Sequence, residues 1–249
     1  MIRSDSKAIF PRVALGFLAP LALAVAVGFS ASVAVAAEIE SSIARGGRLY
    51  DSWFAEKKAA KPTADHPAYP HKGGKYGKEA SWRCKECHGW DYMGKDGAYA
   101  SGGHATGIKG INGMAGADPA KIVAVLKDSK HVYGDKLSAD DLKDLAMFVS
   151  KGQVTVDKYI DRMTKQPIGG DKTRGAAYFN TVCAKCHGED GTKPKDMDKP
   201  LGAQMSNPWE VMHKIMNAQP AEQMPALRAF GMQPVLDIMD HITTLPKKK

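Results

Sequence analysis

All four cysteines of this 249-residue chain belong to two copies of one pattern, a Cys-x-x-Cys pair followed directly by histidine. The first copy comprises Cys84, Cys87 and His88, and the second comprises Cys183, Cys186 and His187. Residues three apart lie on one face of a helical turn. Two thiols on one face can add to the two vinyl groups of one porphyrin, and the adjacent imidazole can then bind the iron. The pattern therefore predicts two covalently bound haem c groups, with His88 and His187 as iron ligands.

Other uses of a Cys-x-x-Cys pair explain the sequence less well. The pair could form a disulfide in an exported protein, act as a redox-active dithiol, or supply half of a zinc site. None of these needs a histidine in the fifth position, and none explains why every cysteine falls in the same pattern. Four cysteines are also too few for a disulfide-rich scaffold. Haem attachment is the interpretation that accounts for all of them.

Each motif lies in a similar context. Gly46 precedes Tyr50 and Gly175 precedes Phe179, so a glycine stands one helical turn before an aromatic residue upstream of each motif. Such a glycine lets another helix approach closely, and the aromatic ring fills the contact. Downstream, apolar residues at helical spacing predict closing helices over 137–150 and 234–245. These parallels indicate an internal repeat.

With these motifs the chain resembles dihaem cytochromes c built from two tandem small α-helical cytochrome c domains. The resemblance implies an all-α fold in which a few helices wrap around each covalently attached haem. We expect domain 1 over 38–152, a connecting segment over 153–171 and domain 2 over 172–249. The proline- and glycine-rich run 59–81 predicts a loop inserted into domain 1.

The two domains differ in the residue expected opposite the haem-binding histidine. In cytochrome c domains a Met-Pro pair before the closing helix usually supplies the sixth ligand, and the resemblance assigns this role to Met224, which follows a predicted helix over 208–217. Domain 1 has no Met-Pro, and the equivalent stretch contains His131, which predicts ligation by two histidines. His104, Met114 and Lys130 remain alternatives, and His66 and His71 could also approach the iron.

The first 37 residues have the pattern of a secretory signal. A basic start is followed by an uncharged stretch over 13–37, which ends in Val-Ala-Ala before Glu38. The same stretch is long enough to span a bilayer as a retained anchor. Cleavage predicts a periplasmic protein, and retention predicts a membrane-anchored protein that faces the periplasm.

The net charge and the filled iron sites suggest the function. The chain carries a formal charge of +8, which favours acidic surfaces on protein redox partners. Nucleic acid is not expected as a partner for an exported haem protein. An iron with both axial positions occupied can change oxidation state without binding substrate. We therefore expect an electron carrier rather than an enzyme, a periplasmic dihaem cytochrome that transfers single electrons in a respiratory or oxidative chain.

Two alternatives stay open. The chain could be a tightly bound electron-transfer subunit of an oxidoreductase. It could also be a dihaem enzyme, similar to a peroxidase or a thiosulfate dehydrogenase, with an open or exchangeable site at haem 1. A cysteine thiolate as distal ligand is disfavoured, because haem attachment uses every cysteine.

Overall fold

The computed structural model describes residues 19–193 and 197–248, with backbone alone over 19–35. The chain forms two units, Met1–Glu38 and Ile39–Lys249, and their boundary falls beside the predicted end of the signal segment. Residues 1–18 of that segment lie outside the described residues, so its cleavage stays a prediction. Within the described ranges, no helix has both the length and the apolar character needed to cross a membrane.

The described residues are helical and contain no β-strand, which agrees with the expected all-α class. Their α-helices, in chain order, are α1 (Ala19–Glu56), α2 (Lys78–Ser81), α3 (Cys84–His88), α4 (Pro119–Leu126), α5 (Ala139–Met147), α6 (Lys172–Tyr178), α7 (Ala184–His187), α8 (Leu201–Gln204), α9 (Pro208–Asn217) and α10 (Met232–Ile242). The backbone of Ser52 leaves the helical conformation and kinks α1 near its end.

The helix bounds follow the sequence pattern closely. The helix predicted over 208–217 is α9, with the same ends. Both closing helices are confirmed, but their ends differ from the predicted ones. The first is α5, which is shorter than 137–150 and continues as a π-helical turn over Phe148–Gly152. The second is α10, which begins and ends earlier than 234–245. The loop predicted over 59–81 is confirmed up to Gly77, but its last four residues form the short helix α2.

Side chains at the helix starts set where three of these helices begin. Asp118 accepts a hydrogen bond from the first turn of α4, and Asp171 accepts two from the first turn of α6. At α5, Ser138 and Asp141 form a reciprocal capping box. These oxygens satisfy main-chain N–H groups that have no partner within their own helix.

A close crossing of two helices occurs once in each half of the Ile39–Lys249 unit. A Cβ added at Gly46 of α1 would lie 2.0 Å from the Asp144 carbonyl oxygen of α5. A Cβ added at Gly175 of α6 would lie 1.9 Å from the Asp237 carbonyl oxygen of α10. The aromatic residue one turn later is fully buried in both cases, as expected for Tyr50 and Phe179.

The same aspartates close each crossing with an ion pair. Arginine precedes both glycines, and Arg45 contacts Asp144 at 2.8 Å while Arg174 contacts Asp237 at 2.8 Å. The sequence analysis did not single out these arginines. One arrangement of arginine, glycine and aspartate therefore joins the first and last helices of each half.

The two halves are also joined to each other, chiefly through α9 and α1. His213 of α9 is completely buried, and both of its ring nitrogens form hydrogen bonds to the first half. The Tyr92 hydroxyl donates to His213 Nδ1 at 2.8 Å, and His213 Nε2 donates to the Gly47 carbonyl oxygen at 2.9 Å. Beside it, buried Asp51 of α1 pairs with Lys214 at 2.7 Å and with Arg83. These contacts make residues 39–249 one compact unit.

The segment over 153–171 packs against both halves. Ile160 is buried, and Arg162 of the same segment binds the buried Asp91 carboxylate of the first half at 2.9 Å. Lys165 Nζ donates to the Ser206 carbonyl oxygen of the second half at 3.0 Å. The segment therefore adds to the contact between the two halves.

Replacing either crossing glycine by alanine is expected to lower the free energy of unfolding. Gly46→Ala and Gly175→Ala each place a Cβ against a main-chain oxygen, and forcing the helices apart costs about 1–3 kcal/mol. Denaturant unfolding of the haem-containing protein measures the loss. Gly113→Ala is the matched control, because an added Cβ there meets nothing within 4 Å. A loss at Gly46 no larger than at Gly113 would contradict the crossing.

Burial of His213 predicts that stability falls in mild acid. Burial lowers the pKa of His213 to about 4, whereas its unfolded value is about 6.5. The unfolded chain therefore binds more protons between these values, and this stabilisation is lost as the pH falls from 6.5 to 4. The contribution lost between pH 7 and pH 5 is about 2 kcal/mol.

His213→Gln removes the titrating group and is expected to flatten the dependence of unfolding free energy on pH in that interval. His71→Gln, at an exposed histidine, is the control for the removal of a histidine elsewhere in the chain. Equal slopes for His213→Gln and the wild type would contradict the assignment.

Candidate haem-binding sites

The two Cys-x-x-Cys-His motifs end in the same local conformation, although the first begins a helix after the extended Arg83 and the second continues a π-helical turn over Phe179–Cys183. Each ends its helix at a glycine with positive φ, Gly89 (φ 80°, ψ 157°) and Gly188 (φ 77°, ψ 153°), a region of backbone conformation that suits glycine. The main-chain N–H of each glycine donates to the carbonyl oxygen four residues earlier, at 2.9 and 2.8 Å. The carbonyl oxygens of His88 and His187 each accept a main-chain hydrogen bond at 2.9 Å from the loop that follows.

The cysteines lack the properties of a reactive dithiol. All four are free thiols. Burial raises the pKa of Cys84 and of Cys87 to about 12 and that of Cys183 to about 11. Redox-active cysteines have a lowered pKa and a thiolate at neutral pH. Burial therefore keeps the thiols of Cys84, Cys87 and Cys183 neutral, and pairs of free thiols on one turn suit attachment to a prosthetic group.

His88 presents a neutral imidazole with one nitrogen fixed. Its Nδ1 donates to the carbonyl oxygen of Lys109 at 2.6 Å, so Nε2 keeps its lone pair. Burial lowers the pKa of His88 to about 4. A metal-binding histidine commonly donates its second ring nitrogen in this way, which fixes the tautomer and the ring orientation.

The ring of His131 lies close to that of His88, the last residue of α3. The ring centroids of His88 and His131 are 6.3 Å apart and their planes differ by 16°. Because a metal–imidazole bond is about 2 Å long and each centroid lies roughly 1 Å behind the ligating nitrogen, two imidazoles on opposite sides of one metal ion have centroids roughly 6 Å apart. The residues at the first motif therefore fit a haem held between two histidines.

The loop that carries His131 is shaped by Asp128. The Asp128 carboxylate accepts the main-chain N–H groups of Lys130 and His131, each at 2.8 Å, and lies 3.1 Å from His131 Nδ1. The same tautomer as in His88 is thereby favoured, with Nε2 available to a metal.

Val132, directly after His131, has a φ of 52°. A β-branched residue rarely adopts this left-handed conformation, which costs about 1–3 kcal/mol and persists only where surrounding contacts enforce it.

The alternative ligands for haem 1 have other surroundings. His104 binds the buried Glu86 carboxylate at 2.7 Å and stacks between Tyr76 and Tyr99, with centroids 3.9 and 4.7 Å away. Lys130 is exposed, and Met114 is half-buried against the core. Of these candidates, His131 is the one whose ring pairs with His88.

The second motif contains a half-buried histidine, and the predicted methionine ligand lies on a later loop. Burial lowers the pKa of His187, and a hydrogen bond to the main chain of Lys193 opposes part of this effect. Met224 lies on the loop between α9 and α10, half-buried and packed against the core, and its neighbours Gln223 and Pro225 are exposed. The assignment of Met224 as a ligand stays a prediction.

Sequence reasoning missed the groups that orient the two facing histidines. The Lys109 carbonyl oxygen has no sequence pattern, because any residue supplies one. Asp128 could have been found, since an aspartate three residues before a histidine is typical of a turn in which the carboxylate accepts main-chain N–H groups.

Comparison with known proteins finds a family that matches the part of the chain with the second motif. The family described as "Cytochrome C oxidase, cbb3-type, subunit III" matches residues 170–242, which include Cys183, Cys186 and His187. No curated protein and no solved structure matches the chain. The family match supports a c-type cytochrome domain with covalently bound haem and an electron-transfer role in this part of the chain.

Proposed function

We propose that the chain is an exported dihaem c-type cytochrome that carries single electrons between protein redox partners. One observation carries the proposal: the first motif, outside the family match, repeats the fold of the second, which lies inside it. The repetition covers the glycine conformation after each histidine and the helix crossings at Gly46 and Gly175. The same structure around the same five-residue pattern supports the same chemistry.

In the first half, each member of the site has a distinct task. Cys84 and Cys87 attach the group covalently, His88 binds from one side, and His131 binds from the other. A haem held in this way supplies a one-electron iron couple. Because protein side chains fill both axial positions, no position is left for a substrate, which favours a carrier over an enzyme.

In the second half, Met224 is proposed to lie opposite His187. Met224 is partly buried between two exposed neighbours on its loop. We expect this loop to cover one side of the haem. Axial methionine raises the reduction potential relative to histidine, so the second haem is expected to have the higher potential.

The proposed location and partners follow from the sequence. The N-terminal segment directs export, which places the protein in the periplasm, either free or anchored. The excess of basic residues favours partners with acidic surfaces, since complementary charge speeds the encounter of two proteins.

A dihaem enzyme is the second candidate, and one observation favours it. The positive φ of Val132 shows that the loop holding His131 is strained. A ligand on a strained loop can leave, and its departure would open an axial position for a substrate such as peroxide.

Haem stoichiometry tests the dihaem proposal. We expect two covalent haems per chain by intact mass and by absorbance of the pyridine complex. Cys84→Ser with Cys87→Ser is expected to leave one, and Cys183→Ser with Cys186→Ser is also expected to leave one, because serine cannot form the thioether bonds. A wild-type chain with a single haem, unaffected by the changes at 84 and 87, would contradict the proposal.

A further inference from the structure

His66 lies in the inserted segment over 59–81, and both of its ring nitrogens are engaged. The side chain is 5% exposed. The main-chain N–H of Ala68 donates to His66 Nδ1 at 3.2 Å, so Nδ1 is the acceptor and Nε2 carries the hydrogen. His66 Nε2 then donates to the main-chain carbonyl oxygen of His131 at 3.1 Å. With both nitrogens in use, His66 is not itself placed to bind a metal.

The position of the His66 ring is fixed by its neighbours. Its centroid lies 4.5 Å from that of Trp82, at 69°, and 5.8 Å from that of Tyr133. The main-chain N–H of His66 donates to the buried Ser81 hydroxyl at 2.9 Å. These contacts fix the position of the donor beside the His131 loop.

The peptide group that His66 contacts adjoins a residue with an unfavourable backbone conformation. It joins His131 to Val132, the residue with a φ of 52°. On the far side, the Tyr133 N–H donates to the Leu126 carbonyl oxygen at 3.0 Å. Hydrogen bonds on both sides of Val132 therefore maintain a backbone conformation that this residue would otherwise avoid.

We propose that His66 is a positioning residue, which holds the His131 ring opposite His88 through its hydrogen bond to the His131 carbonyl oxygen. This inference rests on the proposed role of His131 as ligand. It gives the inserted segment a function: the segment fixes the distal ligand of the first haem and keeps the axial position closed.

Two variants of similar volume isolate the hydrogen bond. His66→Gln keeps an N–H donor, whereas His66→Leu removes it. His71→Leu is the matched control, because His71 lies in the same segment and its Nε2 also contacts a main-chain carbonyl oxygen, that of Ala105 at 2.8 Å, which is remote from the ligand loop. His131→Ala defines the fully open site.

The measurements are the affinity of the oxidised haem-containing protein for added imidazole and its low-spin electron paramagnetic resonance signal. We expect His66→Leu to bind imidazole about tenfold more tightly than the wild type, as for the loss of other groups that orient metal ligands. His66→Gln should restore most of the wild-type resistance, and His71→Leu should match the wild type. Thermal unfolding of each variant reports folding separately from ligation.

Three results would overturn the proposal, and they point to different causes. If His131→Ala raises the affinity for imidazole while His66→Leu keeps the wild-type affinity, His131 is the ligand and His66 does not position it. If His66→Gln binds imidazole as tightly as His66→Leu does, loss of the hydrogen bond is not the cause of the tighter binding. If His131→Ala leaves haem 1 closed, the ligand assignment itself fails. Should His66→Leu not fold, His66→Met, close in volume to glutamine and without a donor, takes its place.

Discussion

Each half of this protein depends on a close contact between the main chains of two helices. At Gly46 and at Gly175, two helices approach so closely that a single Cβ would meet a carbonyl oxygen within about 2 Å. The arginine before each glycine then binds the aspartate that supplies this oxygen. Once the first and last helices are fixed in this way, the intervening chain must run around them. The Cys-x-x-Cys-His motif lies in that intervening chain in both halves, and in the first half the His88 and His131 rings come within 6.3 Å of each other.

A second set of contacts turns two repeats into one unit. His213 and Lys214, neighbours on α9, reach the Gly47 carbonyl oxygen and the Asp51 carboxylate on α1. Burial lowers the pKa of His213 and so keeps its ring neutral, and Asp51 must be charged to form an ion pair with Lys214. The burial of both groups ties the relative position of the repeats to fixed protonation states. If the proposed function is correct, this rigidity keeps the separation of the two haems constant.

The sequence predicts the local features of this structure well and its long-range contacts poorly. The Cys-x-x-Cys-His turns, the helix α9 and the glycine-aromatic pairs depend on residues within one or two helical turns, where spacing carries the information. The contact between Tyr92 and His213 joins residues 121 positions apart, and His66 meets His131 across 65 positions. No periodicity marks such pairs. His131 could be proposed from the missing Met-Pro, but the contact of the Lys109 carbonyl oxygen with His88 and that of His66 with the His131 carbonyl oxygen become visible only in three dimensions.

The central claim is that protein side chains fill both axial positions of each haem, so that the chain carries electrons and does not act on a substrate. Low-temperature electron paramagnetic resonance of the oxidised protein, with near-infrared magnetic circular dichroism to identify the ligands, tests this most directly. The expected result is two low-spin centres, one ligated by two histidines and one by histidine and methionine. A high-spin first haem, or one that readily exchanges its ligand, would contradict the claim and make the protein a candidate enzyme.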